Sequence, residues 1–242
     1  MIFRGRFVDR RISAHLLINQ IAKTCGSESY LEIGIDRATT FQKISVENKT
    51  GIDPVKIPLP IRFKLLNAKI YREYSNFYLE RIPSDTKWDL FFIDGLHEYN
   101  QTLDDILNCI LHSKPESVLI IDDVVPCDKF SAIPDQNECY LKRSESGDTR
   151  NKQWQGDVYK ILEILHESRT TSLHYRTVCV DGSYRTVIWF ADTVDFIELV
   201  EEIREGKFTP SDYSKVFSKG IPSYFNLVQP EELLSILSNR EV

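Results

Sequence analysis

The sequence predicts an α/β fold built on a largely parallel sheet with helices on both faces. Two short runs, Leu90 to Ile93 and Val118 to Ile121, are apolar at every position rather than at alternate ones. That pattern fits strands covered on both sides. Between them Tyr99, Leu103, Ile106, Leu107, Ile110 and Leu111 recur at helical spacing, which gives a helix of roughly four turns. Ligands in such sheets bind outside the carboxyl ends of the strands. Asp94, Asp122 and Asp123 fall just past the two runs, and His97 follows Asp94 by three residues. Ionisable side chains therefore collect where a site is expected.

Length and composition set the bounds. A chain of 242 residues can bury a sizeable core, and no linker or repeat divides it, so one domain over residues 1–242 is expected. Residues 1–28 would form an N-terminal helical cover, 126–153 a substrate or lid loop, and 192–242 a C-terminal helical extension. No apolar run approaches the roughly 20 residues needed to cross a bilayer. The N-terminus has scattered arginines and no continuous apolar stretch, unlike a signal peptide. Five widely spaced cysteines form no CxxC pair, which suits reduced thiols in a cytoplasmic protein. A net charge of −6 argues against nucleic acid as a partner, and no membrane partner is expected. A homo-oligomer is left open.

In chain order, Ile12, Leu16, Leu17, Ile18 and Ile21 fall at helical spacing over residues 9–23, an amphipathic helix that Cys25-Gly26-Ser27 ends. SYLEIG, residues 29–34, is the first core strand, and IDRATTFQKI turns into a short helix starting near Thr39. Gly34 either lets the backbone approach a ligand closely or simply makes a tight turn. GIDP ends a second strand with Asp53 at its tip, 19 positions after Gly34. Nucleotide-binding α/β folds hold ribose hydroxyls with an acid at about that distance; the plainer alternative is a solvated aspartate before a proline. VKIPLPIRF contains two prolines and cannot be a central strand. AKIYREYSNFYLERI reads as a short extended piece ending near Tyr74, then a helix capped by Ser75.

Beyond the first apolar run, Asp104 and Asp105 lie on the polar side of the predicted helix and read as solvated. KPES is the turn before the second run. Residues 126–153 are polar, rich in charge and without periodicity, as in a lid or binding loop. WQGDVYKILEIL starts a helix with Val158, Ile161, Leu162 and Leu165 inward. YRTVCV and YRTVIWF, on either side of Asp181-Gly182-Ser183, form an antiparallel hairpin at the sheet edge. Asp195 to Glu205 and EELLSIL close the chain as helices.

YLEIG with Thr39-Thr40, then GIDP, then FFIDGLHEY followed by IIDD and WQGDVYK, resemble the class I S-adenosylmethionine-dependent methyltransferases. Within them the likeness is to the branch with an IDG-x-H element after the fourth strand, which acts on sugars and natural products. It runs from about Tyr30 to Lys160, more weakly into FNLVQPEELL. The resemblance implies a Rossmann-like three-layer α/β/α fold with a mostly parallel seven-stranded sheet and an antiparallel final strand. It implies that Glu32 and Gly34 line the methionine end of S-adenosylmethionine and that Asp53 binds the ribose. Ser75 and Asn76, with Tyr74, would lie near the adenine. Asp94, which would also border the cofactor, and Asp122 and Asp123 match positions that hold a divalent metal, usually Mg²⁺. His97 matches a proposed general base. Ala38 departs from the glycine common there, and its methyl would crowd the carboxylate end of the cofactor.

The chemistry suits these residue types. Methyl transfer from a sulfonium is an in-line displacement in which the acceptor oxygen must be aligned and lose its proton. Carboxylates are hard ligands for Mg²⁺, and histidine is a base near neutral pH. Singly, each of these residues has a plainer role: Asp122-Asp123 as a turn cap, Asp94 as a brace for the Gly95 loop, His97 at a helix start. The leading expectation is an O-methyltransferase, EC class 2.1.1, acting on a sugar or other polyhydroxylated small molecule. The alternatives are a binding relative that has lost the cofactor and, less favoured, a metal-dependent nucleotide-sugar glycosyltransferase. Tyr140 and Trp154 are either stacking platforms for the acceptor or packing anchors.

Overall fold

The structure, a computed structural model, describes residues 14–168, 173–190, 194–206 and 208–240. Ile12 and the rest of residues 1–13 lie outside that description. The first helix, α1, spans Ala14–Cys25 and buries Leu17, Ile18, Ile21 and Ala22. Strands β1 (Ser29–Ile33), β2 (Asn48–Ile52) and β3 (Lys69–Tyr71) follow, with a four-residue helix α2 (Leu59–Arg62) between the last two. Next come α3 (Ser75–Arg81), β4 (Trp88–Ile93), α4 (Tyr99–Leu111) and β5 (Ser113–Ile121). The second half holds α5 (Gln136–Glu145), α6 (Lys160–Glu167), the hairpin β6 (Leu173–Val180) and β7 (Ser183–Phe190), α7 (Val194–Arg204), α8 (Tyr213–Val216) and α9 (Pro230–Ser238).

The seven strands form one sheet in the order β3-β2-β1-β4-β5-β7-β6. β1 to β5 pair in parallel, and β7 runs antiparallel to both β5 and β6. This is the predicted three-layer Rossmann-like arrangement with its antiparallel last strand. Alternate residues of each central strand feed two cores. Leu31, Phe91, Ile93, Leu119 and Ile121 pack on one face with α4 and α6. Tyr30, Leu90, Phe92, Val118 and Ile120 pack on the other with α1 and α9.

Several local expectations are corrected. Past Thr39 the chain makes only a 3-10 turn, Phe41–Lys43. KPES is a bulge inside β5: the register jumps from Trp88↔Ser113 to Leu90↔Val118, and Glu116 takes a left-handed φ of 68°. Ser75 does not cap α3. Tyr74 holds that position, and the Ser75 hydroxyl instead donates to Asp105 Oδ1 at 2.5 Å. Asp105 is therefore buried, not solvated, and Gln101 Nε2 donates to the same oxygen at 3.0 Å. Asp104 pairs with Arg204 at the surface. Residues 126–153 are not all loop, because α5 lies within them. Asp135 caps it by accepting from Glu138 N–H at 2.7 Å, and Arg143 is buried with a two-pronged bond to Asp128.

Burial raises the Asp105 carboxyl to about 6, against the bonds from Ser75 and Gln101. The folded protein thus holds a proton there that the unfolded chain has already released, so stability falls as pH rises from about 4 to about 6 and is flat above. Asp105→Asn keeps the acceptor oxygen and removes the charge. Urea melts are expected to show it more stable than wild type at pH 7, on the order of 1–3 kcal/mol, with the gain vanishing near pH 4.

Candidate active site

The site begins with register. Ile52, Ile33, Ile93 and Ile121 stand side by side across four adjacent strands. The next residue in each is Asp53, Gly34, Asp94 or Asp122, so these four form one row at the carboxyl edge of the sheet. Backbone ladders continue into that row, with Asp94 N–H on Ile33 O at 2.9 Å and Asp122 N–H on Ile93 O at 3.0 Å. Strand order reverses between β1 and β4, where crevices open in such sheets.

His97 reaches back over the row. Its Nε2 lies 3.2 Å from Asp94 Oδ1, and its Nδ1 lies 3.4 Å from Asp123 Oδ2 and 3.2 Å from the Trp154 carbonyl. One donor atom from each of Asp94, His97 and Asp123 falls within a 4.8 Å cluster. Burial, with Asp122 and Asp123 nearby, raises the proton affinity of Asp94. Burial alone would lower that of His97, but the hydrogen bond to Asp94 and the charges of Asp94 and Asp123 raise it. The imidazole is thus held between two acids, protonated when nothing else neutralises them.

Asp122, expected alongside the other two acids, turns to a different partner. Its Oδ2 pairs with Arg185 Nη2 at 3.0 Å, and its Oδ1 accepts from Asp123 N–H at 2.8 Å. Ser183 Oγ donates to Asp123 Oδ1 at 2.9 Å. Asp123 sits at a left-handed φ of 56°, which these contacts from β7 hold in place. Neither Arg185 nor Ser183 was foreseen; an arginine inside an otherwise apolar strand, YRTVIWF, was the signal.

The WQGDVYK segment explains itself around His97. Trp154 stacks on the imidazole, ring centroids 5.0 Å apart, so it is a packing anchor for that ring. Gly156 has φ +61°, and a Cβ there would lie 1.6 Å from the His97 carbonyl oxygen. Asp157 Oδ1 accepts from Tyr99 N–H at 2.7 Å and so serves the amino end of α4. Tyr140 bonds the Lys152 carbonyl at 3.3 Å.

On the other side, the Glu32 side chain is buried and accepts from the Tyr30 hydroxyl at 2.5 Å. Burial lifts its carboxyl to about 8. Asp53 is buried and ties two loops, Oδ2 accepting from Asp36 N–H and Oδ1 from Val55 N–H, both at 2.7 Å. Each oxygen keeps a second lone pair. Gly34, at φ +87°, packs directly on the Asp94 backbone. Ser75 and Asn76 face α4, where Gln101 Nε2 donates to Asn76 Oδ1 at 2.8 Å. Ala38 has a left-handed φ of 56°, which explains the usual glycine, and its methyl is fully buried in the core with Phe41 and Ile35. Ala38→Gly is expected to change stability by no more than about 1 kcal/mol, since relief of strain and the lost methyl offset each other. Thermal melts check this.

Residues 18–124 match a family model described as "Methyltransferase domain". That stretch carries β1 to β5 and every expected site residue. No curated protein sequence matches the chain. Among solved structures the chain is similar to the O-methyltransferase TomG from Streptomyces achromogenes, involved in tomaymycin synthesis and solved with S-adenosylmethionine. That match has 14% identity, TM-score 0.51, and 74% of this chain and 79% of that chain covered. It is also similar to the O-methyltransferase from Bacillus cereus in complex with S-adenosylhomocysteine, with 12% identity, TM-score 0.50, and 78% and 84% covered. Cofactor-bound Rv0187 from MTB gives 13%, 0.52, and 78% and 84%. At these identities the structures speak for the fold. The matched methyltransferase-domain model covers the parallel half of the sheet, and the solved structures agree with it in fold.

Proposed function

We propose that the protein is an S-adenosylmethionine-dependent O-methyltransferase acting on a sugar or other polyhydroxylated small molecule, with a divalent cation and His97 as general base. The observation that carries this is the convergence of Asp94, His97 and Asp123 at the carboxyl edge of β4 and β5. The O-methyltransferases of like fold support the reaction type. Two carboxylates beside an imidazole suit a divalent cation such as Mg²⁺ or Mn²⁺. Asp94 and Asp123 would hold it, and Asp122, paired with Arg185, would position Asp123 by accepting from its N–H. When bound, the cation would chelate neighbouring hydroxyls and lower the acceptor's pKa.

The chain's own residues do the rest. With Asp94 and Asp123 neutralised, His97 loses the two charges that raise its proton affinity. Its Nε2 is then free to take the acceptor proton, while the Trp154 carbonyl keeps Nδ1 oriented. The acceptor oxygen attacks the sulfonium methyl, and the bonding pair stays on sulfur. Glu32, Gly34 and Asp53 would line the cofactor, with Ser75 and Asn76 toward the adenine. Localisation in the cytoplasm accords with the five free cysteines.

Calorimetric titration with S-adenosylhomocysteine, with and without Mg²⁺, tests the reading. Micromolar binding is expected, followed by label transfer from S-adenosylmethionine to polyols in a metal-dependent screen. Absence of binding in both conditions would turn the proposal toward a non-catalytic relative.

A further inference from the structure

We propose that residues 54–72 form a peripheral docking surface for an anionic lipid bilayer. This segment leaves β2 directly after Asp53 and returns to β3. It carries Lys56, Arg62, Lys64, Lys69 and Arg72 and no aspartate or glutamate, in a chain of net charge −6. All five cations are exposed. Among the described residues, no carboxylate pairs with any of them.

The apolar side chains complete the pattern. Ile57 and Leu65 are buried and fasten the segment to the core. Val55, Leu59, Phe63 and Leu66 point the other way, at 55%, 60%, 69% and 77% exposure. α2 tucks only Ile61, half-buried, against the core and leaves Leu59, Pro60 and Arg62 exposed. Arg72 Nε donates to the Pro54 carbonyl at 3.2 Å and joins the two ends of the segment. A protruding leucine-phenylalanine face flanked by lysine and arginine is the composition of an interfacial segment.

The charges decide between occupants. A second copy on a two-fold axis would bring the same cations face to face. A protein partner is less suited than lipid, because lysine is depleted from protein interfaces, whereas lysine stems at a lipid surface bury their methylenes and keep the ammonium at the headgroups. An anionic leaflet satisfies both parts of the surface. The expectation of no membrane partner rested on the lack of a spanning run, and a peripheral contact requires none. The proposal stands apart from the methyl-transfer reading.

The test is co-sedimentation of the full chain with vesicles of phosphatidylcholine alone and of an equal mixture of phosphatidylcholine and phosphatidylglycerol. Binding to the mixture only, reversed by high salt, is expected. Replacing Lys56, Arg62, Lys64 or Lys69 with glutamine should weaken partitioning about fivefold per cation. Phe63→Ser should weaken it by roughly tenfold. The altered side chains are exposed, and superimposable thermal melts would show that the variants remain folded. No sedimentation with the mixture, equal sedimentation with both vesicles, or variants that bind like wild type would overturn the proposal. So would binding to polyglutamate but to neither vesicle, which would mark a protein-docking face, or a dimer that Phe63→Ser abolishes.

Discussion

Asp94→Asn is expected to cut methyl transfer by roughly 10²–10⁴-fold while leaving the fold intact. Asparagine matches the volume of the aspartate and keeps one acceptor oxygen for His97 Nε2, now at 3.2 Å. What it removes is the charge that the proposed cation and the imidazole both need. Two measurements separate these parts. Loss of the free Mn²⁺ signal on adding protein reports the cation, and turnover with an accepted polyol reports the reaction. Both should fall. His97→Gln should spare most Mn²⁺ binding and lose turnover, and the double variant should be little worse than either single one, since the two residues act as a unit. Unchanged metal dependence in Asp94→Asn would remove the cation from the account.

Gly34→Ala is expected to destabilise the protein by at least about 3 kcal/mol. The new Cβ would stand 1.9 Å from the Asp94 carbonyl oxygen, and φ is already +87°. The neighbour is backbone in the middle of the sheet and cannot step aside. Gly156→Ala meets the His97 carbonyl at 1.6 Å outside the sheet, so the clash should also displace the His97 loop and cost activity as well as stability. Urea midpoints and turnover, measured on both variants, would distinguish the two. A Gly34→Ala protein with a wild-type midpoint would mean that the close packing of β1 on the β4 exit loop is absent in solution. The close approach that the glycine permits in this structure is to the Asp94 backbone.

Much of this was legible because the central strands are apolar on both faces and end together. An Ile before each of Asp53, Gly34, Asp94 and Asp122 marks the row that the register then aligns. Side chains whose role depends on distant partners were not legible. Asp105 sits beside apolar residues on α4, and one of the two donors that make a buried acid there tolerable, Ser75, lies 30 residues earlier. Arg185 is separated by 63 residues from Asp122. Helix α5 was missed because its buried residues are Cys139 and an arginine, which leave no apolar stripe. The cap was readable: Asp135 followed three residues later by Glu138 is a helix-start signal.

The hairpin contacts to Asp122 and Asp123 also order the folding of the chain. The acids leave the ribosome with β5, but Ser183 and Arg185, which align them, emerge some 60 residues later. Until then β5 is an edge strand with an unmatched ladder, and Asp122 lacks its arginine partner. The alignment of the two acids is therefore a late product of synthesis. A nascent chain released before β7 would hold the matched stretch of residues 18–124 and still lack the Ser183 and Arg185 contacts to these acids. Antiparallel pairing of β7 with β5 covers that edge and brings Ser183 and Arg185 onto the two acids in a single step.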